Sequence, residues 1–135
     1  MTPSPEPLYD LVQKAIDLAI ECVDTGEILV PFIITEGSRG EVATIMADSI
    51  DESIALARDR IKGYTDSTSA FAFAYDGFIT IDGERTDSIY VEASYGNFDH
   101  TFIFAQRYNP RQATNPVQRL GNWIYLQNNE SRLKL

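Results

Sequence analysis

Apolar residues recur at helical spacing near the start of the chain. The recurring set is Leu8, Leu11, Val12, Ala15, Ala19, Cys22 and Val23. Ser4 suits the N-cap, Pro5 fits the first helical position, and Gly26 favours termination, so the pattern predicts a helix between them. Three more apolar residues widen its apolar surface: Ile16, Leu18 and Ile20. We therefore expect this helix to be covered on more than one side.

A second helix begins at a reciprocal capping signal. Ser49 and Glu52 have the spacing at which each side chain accepts from the other's backbone N–H. One predicted helix face then carries Ile50, Ile54, Ala57 and Ile61. Gly63 follows Lys62, which is typical of a helix end.

Two short apolar runs between these helices predict an antiparallel pair of strands. They cover residues 28–35 and 42–46, and the turn between them is Glu36-Gly37-Ser38-Arg39-Gly40. Pro31 has no N–H for a strand ladder. This places the first run at a sheet edge, or places the proline near the start of the strand.

The next segment predicts a hairpin turning at Tyr75-Asp76-Gly77-Phe78, because Asp-Gly favours the positive φ angles of a two-residue turn. Ala74 then pairs with Ile79, and Ala72 pairs with Ile81. The other face carries Phe71, Phe73, Tyr75 and Phe78. Since both faces are apolar, we expect cover on both sides, with a helix close to the alanines.

A further hairpin is predicted around Tyr95-Gly96-Asn97-Phe98. This turn sets three pairs on one face, which are Ala93 with His100, Val91 with Phe102, and Ile89 with Phe104. The opposite face carries polar pairs, Glu92 with Thr101 and Ser94 with Asp99. A one-residue slip would destroy this separation, so the alternation supports the pairing.

The fold class is therefore α+β, with two helices and a mainly antiparallel sheet of about six strands in the order α-β-β-α-β-β-β-β. Residues 1–135 suit a single domain, and residues 109–135 form a basic C-terminal arm. Within the arm, residues 109–122 are expected to form an extended arm or a loop. Trp123-Ile124-Tyr125-Leu126 adds a last strand or docks as an apolar plug.

The net charge of −9 disfavours nucleic acid as a partner. Residues 1–100 hold six basic and nineteen acidic side chains, whereas residues 101–135 hold five basic and one acidic. Such asymmetry is typical of an acidic body held by a basic tail, in cis or on a second subunit. A homodimer is the expected assembly.

The single Cys22 excludes an internal disulfide and is interpreted as a buried thiol. Neither a signal peptide nor a membrane helix is indicated, so a cytoplasmic location and no membrane partner are expected. One His and one Cys are too few for a zinc site, and no metal is predicted.

His100, the only histidine, is predicted to face a buried aromatic surface. The structural interpretation is a core histidine with satisfied hydrogen bonds, or one at the sheet rim near the turn. The functional interpretation is a small apolar-ligand site, in its specific form axial ligation of haem. The residues of this candidate ligand site are His100, Phe102, Phe104, Val91 and Tyr95. The candidate contacts for an anion or a partner are Arg107, Tyr108 and Arg111.

Acidic residues offer a further possibility. The segment from Asp82 to Asp87 is interpreted as a solvated turn without calcium-ligand spacing. Four residues could contribute to a carboxylate-based acid–base pair without a cofactor, namely Glu36, Glu41, Asp76 and Glu92. No catalytic residue is singled out, and the chain is expected to be a non-enzymatic binding or assembly module.

Three segments carry a family resemblance. They are Pro31-Phe32 to Glu36-Gly37, Ala70-Phe71-Ala72-Phe73-Ala74-Tyr75-Asp76-Gly77, and the hairpin ending in Gln106-Arg107-Tyr108. Over residues 28–108 the chain resembles small bacterial α+β proteins grouped as domains of unknown function. The resemblance implies a fold and carries no catalytic residue.

Overall fold

The computed structural model describes residues 6–37, 41–62, 68–94 and 101–126. Their elements are α1 (Glu6–Asp24), β1 (Phe32–Gly37), β2 (Glu41–Thr44), α2 (Ile50–Lys62), β3 (Thr68–Ile81), β4 (Glu84–Ser94), β5 (Phe102–Asn109), β6 (Gln118–Arg119) and β7 (Ile124–Leu126). This confirms the predicted α+β class, with two helices and an antiparallel sheet.

The strands of the described residues form one sheet in the order β2-β1-β3-β4-β5-β6, and β7 also pairs with β5. Every pairing is antiparallel. Pro31 directly precedes β1, and its carbonyl accepts a hydrogen bond from Ile45 N at 2.8 Å. Of the two positions expected for Pro31, the strand start is therefore confirmed. The sheet edge is wrong, because β1 lies between β2 and β3.

The two helices cover opposite faces of the sheet. One core lies between α1 and the face that carries Ala72, Ala74 and Val91, and the other lies between α2 and the face that carries Phe73 and Tyr75. The alternation of small and large side chains along β3 predicts this two-sided cover correctly. Alanines on the α1 side leave room for the helix backbone to approach.

The helix boundaries follow their predicted signals where the structure describes them. Ser49 Oγ accepts from Glu52 N at 3.1 Å, which is the expected N-cap of α2. Gly26 has φ +85° and donates its N–H to Val23 O, so it ends α1 as expected. Ser4, Pro5 and Gly63 lie outside the described residues.

The first predicted hairpin is wrong. β3 runs straight through Asp76 and Gly77, and the chain turns at Asp82 and Gly83, whose φ angles are +52° and +82°. Ala74 consequently pairs with Val91, and Ala72 pairs with Ala93. An Asp-Gly dipeptide with positive φ angles does form the turn as expected, but it is Asp82-Gly83 and not Asp76-Gly77. The later turn lets β3 pair with β4 over a much longer ladder.

This correction also regroups the side chains of β3. Phe71, Phe73 and Tyr75 share the α2 face as predicted. Phe78 lies an even number of residues from Ala74 and therefore points to the α1 face together with Asp76. It is 42% exposed there and does not join the core.

The second predicted hairpin has the correct faces and the wrong pairs. Ala93 pairs with Phe102, and Val91 pairs with Phe104, so β5 is displaced by two residues from its predicted position. A displacement of two keeps every side chain on its face, which is why the alternation could not detect it. The predicted turn and His100 fall in residues 95–100, outside the described residues.

On the opposite face of this hairpin, the predicted pairing of Glu92 with Thr101 is also wrong. Glu92 pairs with Ile103 and is buried beneath α2, and Ser94 is buried on the same face. Arg58 of α2 reaches Glu92 with Nε and Nη2 at 3.2 and 2.6 Å, and Tyr75 Oη donates to Glu92 Oε2. Because α2 supplies a cation, a carboxylate can lie inside this face.

The C-terminal arm packs on α1 of the same chain. Arg111 pairs with Asp24, and Arg119 pairs with Asp17 at 2.8 Å. Trp123 lies against Phe104 and Tyr9, with ring centroids 5.1 and 5.9 Å away. Both alternatives expected for residues 123–126 therefore occur. Trp123 packs as an apolar plug, and residues 124–126 form the last strand, β7. In the described residues neither helix is long and apolar enough to cross a membrane.

Candidate functional site

A cavity of about 360 Å³ opens beside β3, just past the point where its pairing with β1 ends at Ala74. We call it the acidic cavity. It is lined by Ile28, Leu29, Ser49, Ile50, Asp51, Asp76, Gly77, Phe78 and Asp87. Its walls thus combine apolar side chains with three carboxylates.

Two of the carboxylates come from neighbouring strands. Asp87 pairs with Phe78 across β3 and β4, so Asp76 is its diagonal neighbour on the same face. On the other side, Asp87 pairs with Tyr108 of β5. Three adjacent strands therefore bring Asp76, Asp87 and Tyr108 together on one face of the sheet.

Asp76 is held in place by two hydrogen bonds. Tyr108 Oη donates to Oδ1 at 2.8 Å, and the backbone N–H of Gly77 donates to the same oxygen at 3.0 Å. Within the described residues both bonds fall on Oδ1. Oδ2 is consequently the oxygen that this carboxylate can offer to a ligand.

The environment raises the pKa of both carboxyls. Burial is the largest cause for Asp76, and the nearby negative charge of Asp87 adds to it, against the opposing hydrogen bonds from Tyr108 and Gly77. Burial also raises the pKa of Asp87, while Arg85 opposes the rise. The pKa of Tyr108 is raised as well, by burial and by Asp76, so its hydroxyl stays protonated as a donor. Displaced carboxyl pKa values in a cavity are typical of functional sites.

Exposed apolar side chains border the acidic cavity. Ile28 is 84% exposed and Phe78 is 42% exposed, although both are large and apolar. The guanidinium of Arg85 stacks over the Phe78 ring, 4.0 Å from its centroid. A ligand entering between these residues would cover apolar surface as it approached the carboxylates.

The carboxylates of this cavity do not form a metal cluster. Among the described residues, no three His, Cys, Asp or Glu side chains come together in a group that could hold a metal ion. Asp51 contributes from the start of α2, whereas Asp76 and Asp87 contribute from the sheet.

The ligand site predicted around His100 is only partly described. Val91 and Phe104 are buried in the core under α1, and Phe102 is partly buried at its margin. His100 and Tyr95 lie outside the described residues. The apolar-ligand and haem hypotheses at these residues therefore stay predictions.

The predicted anion or partner contacts separate into three environments. Arg111 pairs with Asp24, and Tyr108 bonds to Asp76 in the acidic cavity. Arg107 is half-buried, and its Nε has no hydrogen-bond partner in the part of the chain that the structure describes. The structure therefore does not bring the three residues together.

Of the four acidic candidates, Asp76 lines the acidic cavity and Glu92 pairs with Arg58. The side chains of Glu36 and Glu41 lie outside the described residues. The prediction that Asp87 lies in a solvated turn is wrong, because Asp87 lies in β4. A signal was available, since Asp87 continues the alternation of Ile89, Val91 and Ala93 and so marks a charge on an apolar face.

Comparison of the chain with protein-family models, with curated proteins and with solved structures returns no match. The resemblance to small bacterial α+β proteins stays a prediction.

Proposed function

We propose that the protein binds a small organic cation, a protonated amine carried on an apolar body, in the acidic cavity. The observation that carries this proposal is the pair Asp76 and Asp87, which share one apolar-walled cavity. Burial disfavours ionisation of both carboxyls, and the charge of Asp87 further disfavours ionisation of Asp76. A bound cation would relieve these two costs together.

The walls of the cavity support the apolar half of the ligand. Ile28, Leu29, Ile50 and Phe78 supply hydrocarbon and aromatic surface. Apolar surface with a few converging polar groups is the usual composition of small-molecule sites. An ammonium group would donate hydrogen bonds to Asp76 Oδ2 and to the Asp87 carboxylate, and its carbon skeleton would cover Phe78.

The test is calorimetric titration with aromatic and aliphatic amines, such as phenethylamine and hexylamine, beside the neutral isostere 2-phenylethanol. We expect amines to bind and the alcohol to bind at least about tenfold more weakly, since charge-assisted hydrogen bonds contribute roughly 1.5–3 kcal/mol. Asp76→Asn and Asp87→Asn should each weaken amine binding by a similar factor. Asp82→Asn, which changes an exposed turn residue, is the matched control.

Three results would contradict the proposal. They are no binding by any amine, equal binding of 2-phenylethanol, and amine affinities unchanged in both cavity variants. Lower pH should also weaken binding, because the amine requires ionised carboxylates and their pKa values are raised.

Proton transfer to or from a bound ligand is a second candidate function. It is favoured by the unequal surroundings of the two carboxyls, since Tyr108 bonds to Asp76 while Arg85 acts on Asp87. Turnover of an amine-bearing ester by the wild type but not by Asp87→Asn would support it. Binding without turnover would leave only the first proposal.

Assembly draws little support from the described contacts, because the sheet faces and the basic arm have partners within the chain. α1 and α2 cover both sheet faces, and the basic arm contacts α1 in cis. A homodimer and a cytoplasmic location remain proposals that rest on the sequence. Light scattering at several concentrations tests the first, and cell fractionation tests the second.

A further inference from the structure

A second cavity, of about 500 Å³, lies where the C-terminal arm crosses α1. We call it the arm cavity. It is lined by Gln13, Gln106, Arg119, Gly121, Asn122 and Trp123. Unlike the acidic cavity, it is bounded mainly by amide and guanidinium groups with a single indole.

The cavity arises from an interruption in the edge pairing of β5. β6 pairs with Tyr108 and Asn109, whereas β7 pairs further back with residues 103–105. Between these two strands the arm bulges away from β5. The buried amide of Gln106 bridges the gap by donating to Gly121 O and Arg107 O, each at 3.0 Å. The base of the arm cavity is therefore fixed by hydrogen bonds.

A continuous chain of hydrogen bonds fixes one wall. Trp123 Nε1 donates to Gln13 Oε1 at 2.8 Å, and Gln13 Nε2 donates to Asp17 Oδ1 at 2.9 Å. Arg119 Nη1 binds the same Asp17 oxygen at 2.8 Å. These side chains hold one another in position before any ligand arrives, which lowers the entropy cost of binding.

The one charged side chain in the lining of this cavity is already paired. Arg119 forms an ion pair with Asp17, and the other polar side chains that line the cavity are neutral amides. An ionic ligand would therefore have to compete with Asp17 for Arg119. A neutral ligand with many hydrogen-bonding groups matches this lining better than an ion does.

We infer that the arm cavity binds a neutral sugar. Adjacent hydroxyls of a sugar ring can each donate and accept, and they match the paired ends of an amide, a carboxylate or a guanidinium. Asn122 and Arg119 both line the cavity and carry groups of this kind. The indole of Trp123 supplies apolar aromatic surface for the C–H face of the ring.

The chain offers a direct reporter, because Trp123 is its only tryptophan. Its fluorescence, and the single indole N–H signal in an NMR spectrum, should change saturably on titration with sugars. The panel is glucose, galactose, mannose, N-acetylglucosamine, maltose and cellobiose. We expect at least one to saturate in the millimolar range or below, which corresponds to roughly −4 kcal/mol or better.

Asn122→Ala and Arg119→Met, which change exposed residues, should each weaken that affinity about tenfold if one hydrogen-bonded pair is lost. Asp82→Asn, at an exposed turn position that lines neither cavity, should leave it unchanged. Adenosine and uridine test for a planar base instead of a sugar. The inference is overturned if no sugar gives a saturable change, if only a nucleoside does, or if sugar binding survives both arm-cavity substitutions.

Discussion

Asp76 continues the α1-facing alternation of Ala70, Ala72 and Ala74, where an apolar residue would be expected. Its carboxylate lies where burial and Asp87 both disfavour ionisation. A residue that is unfavourable for the free protein but suited to a ligand is typical of a functional position. The charge of Asp87 is less unfavourable, because the nearby Arg85 partly compensates it.

Asp76→Asn should therefore stabilise the free protein, by about 1 kcal/mol at neutral pH. Asparagine keeps an oxygen acceptor for Tyr108 and Gly77 and removes the buried charge. The native pKa of Asp76 lies above its ordinary value of 3.8, so native protein takes up this proton at a higher pH than unfolded protein does. The destabilisation caused by the buried Asp76 charge therefore appears as the pH rises from the ordinary carboxyl pKa to the raised native pKa.

Urea unfolding of the wild type and Asp76→Asn from neutral pH down towards pH 4 measures this difference. The gain in unfolding free energy should shrink as the pH falls towards the ordinary carboxyl value. A variant that is less stable than the wild type at neutral pH would show that the carboxylate is favourable where it lies.

Glu92 is buried for the opposite reason, because its charge is matched within the chain. Arg58→Met should lower the unfolding free energy by about 2 kcal/mol, since the carboxylate would keep only the Tyr75 hydroxyl. This is less than for a fully buried pair, because the Arg58 side chain is 41% exposed. Arg60→Met, at an exposed position of the same helix, is the matched control. Equal effects of the two substitutions would exclude a specific role for the ion pair.

At the scale of elements, the helices, their boundaries and the two-sided sheet follow from local patterns. The turn of the first hairpin does not, because Asp76-Gly77 and Asp82-Gly83 carry the same local signal. What separates them is the length of the β3–β4 ladder, which extends from Phe71–Ser94 to Ile81–Glu84. That is a long-range property, and local turn chemistry cannot report it.

The displacement of β5 has a similar origin. Alternation of apolar and polar residues determines which face of the sheet a side chain occupies, but it is the same before and after a register shift of two residues. The position of the turn and the displacement of β5 together explain why local patterns do not predict the acidic cavity. Once β3 is read as one strand, Asp76 and Asp87 fall on the same face as Tyr108 and become neighbours.

The position of the turn can be tested at Gly83. Its φ of +82° disfavours L-residues other than asparagine, although there is open space around it. Gly83→Ala should lower the unfolding free energy by about 1 kcal/mol, whereas Gly83→Asn should cost clearly less. Equal losses for both substitutions, measured by urea unfolding, would contradict a left-handed residue at this turn.

At the scale of the whole molecule, an acidic body and a basic arm compensate each other. The charge asymmetry of the sequence predicts this contact between arm and body, which we call the clasp. It does not distinguish a contact within one chain from a contact between two chains. The structure provides the cis contacts, through Asp17 and Asp24 on α1. Asp24 also accepts the backbone N–H of Val117 at 2.8 Å, so it orders the arm directly.

The combined substitution Asp17→Asn/Asp24→Asn should loosen the arm and speed tryptic cleavage after Arg111 and Arg119. The reason is that cleavage requires local opening, whose free energy falls when contacts are lost. Asp10→Asn, at an exposed position of the same helix, should leave the cleavage rate unchanged. Mass spectrometry of timed digests gives the rates, and equal rates in all three proteins would count against the clasp.

The most direct test of the acidic cavity is an NMR titration of the Asp76 and Asp87 side-chain carboxyl carbons, without and with saturating phenethylamine. We expect both pKa values above 3.8 in the free protein, and both lower once the amine is bound, because a cation stabilises the ionised form. Ordinary values in the free protein, or values that the amine does not move, would contradict a cation site at this pair.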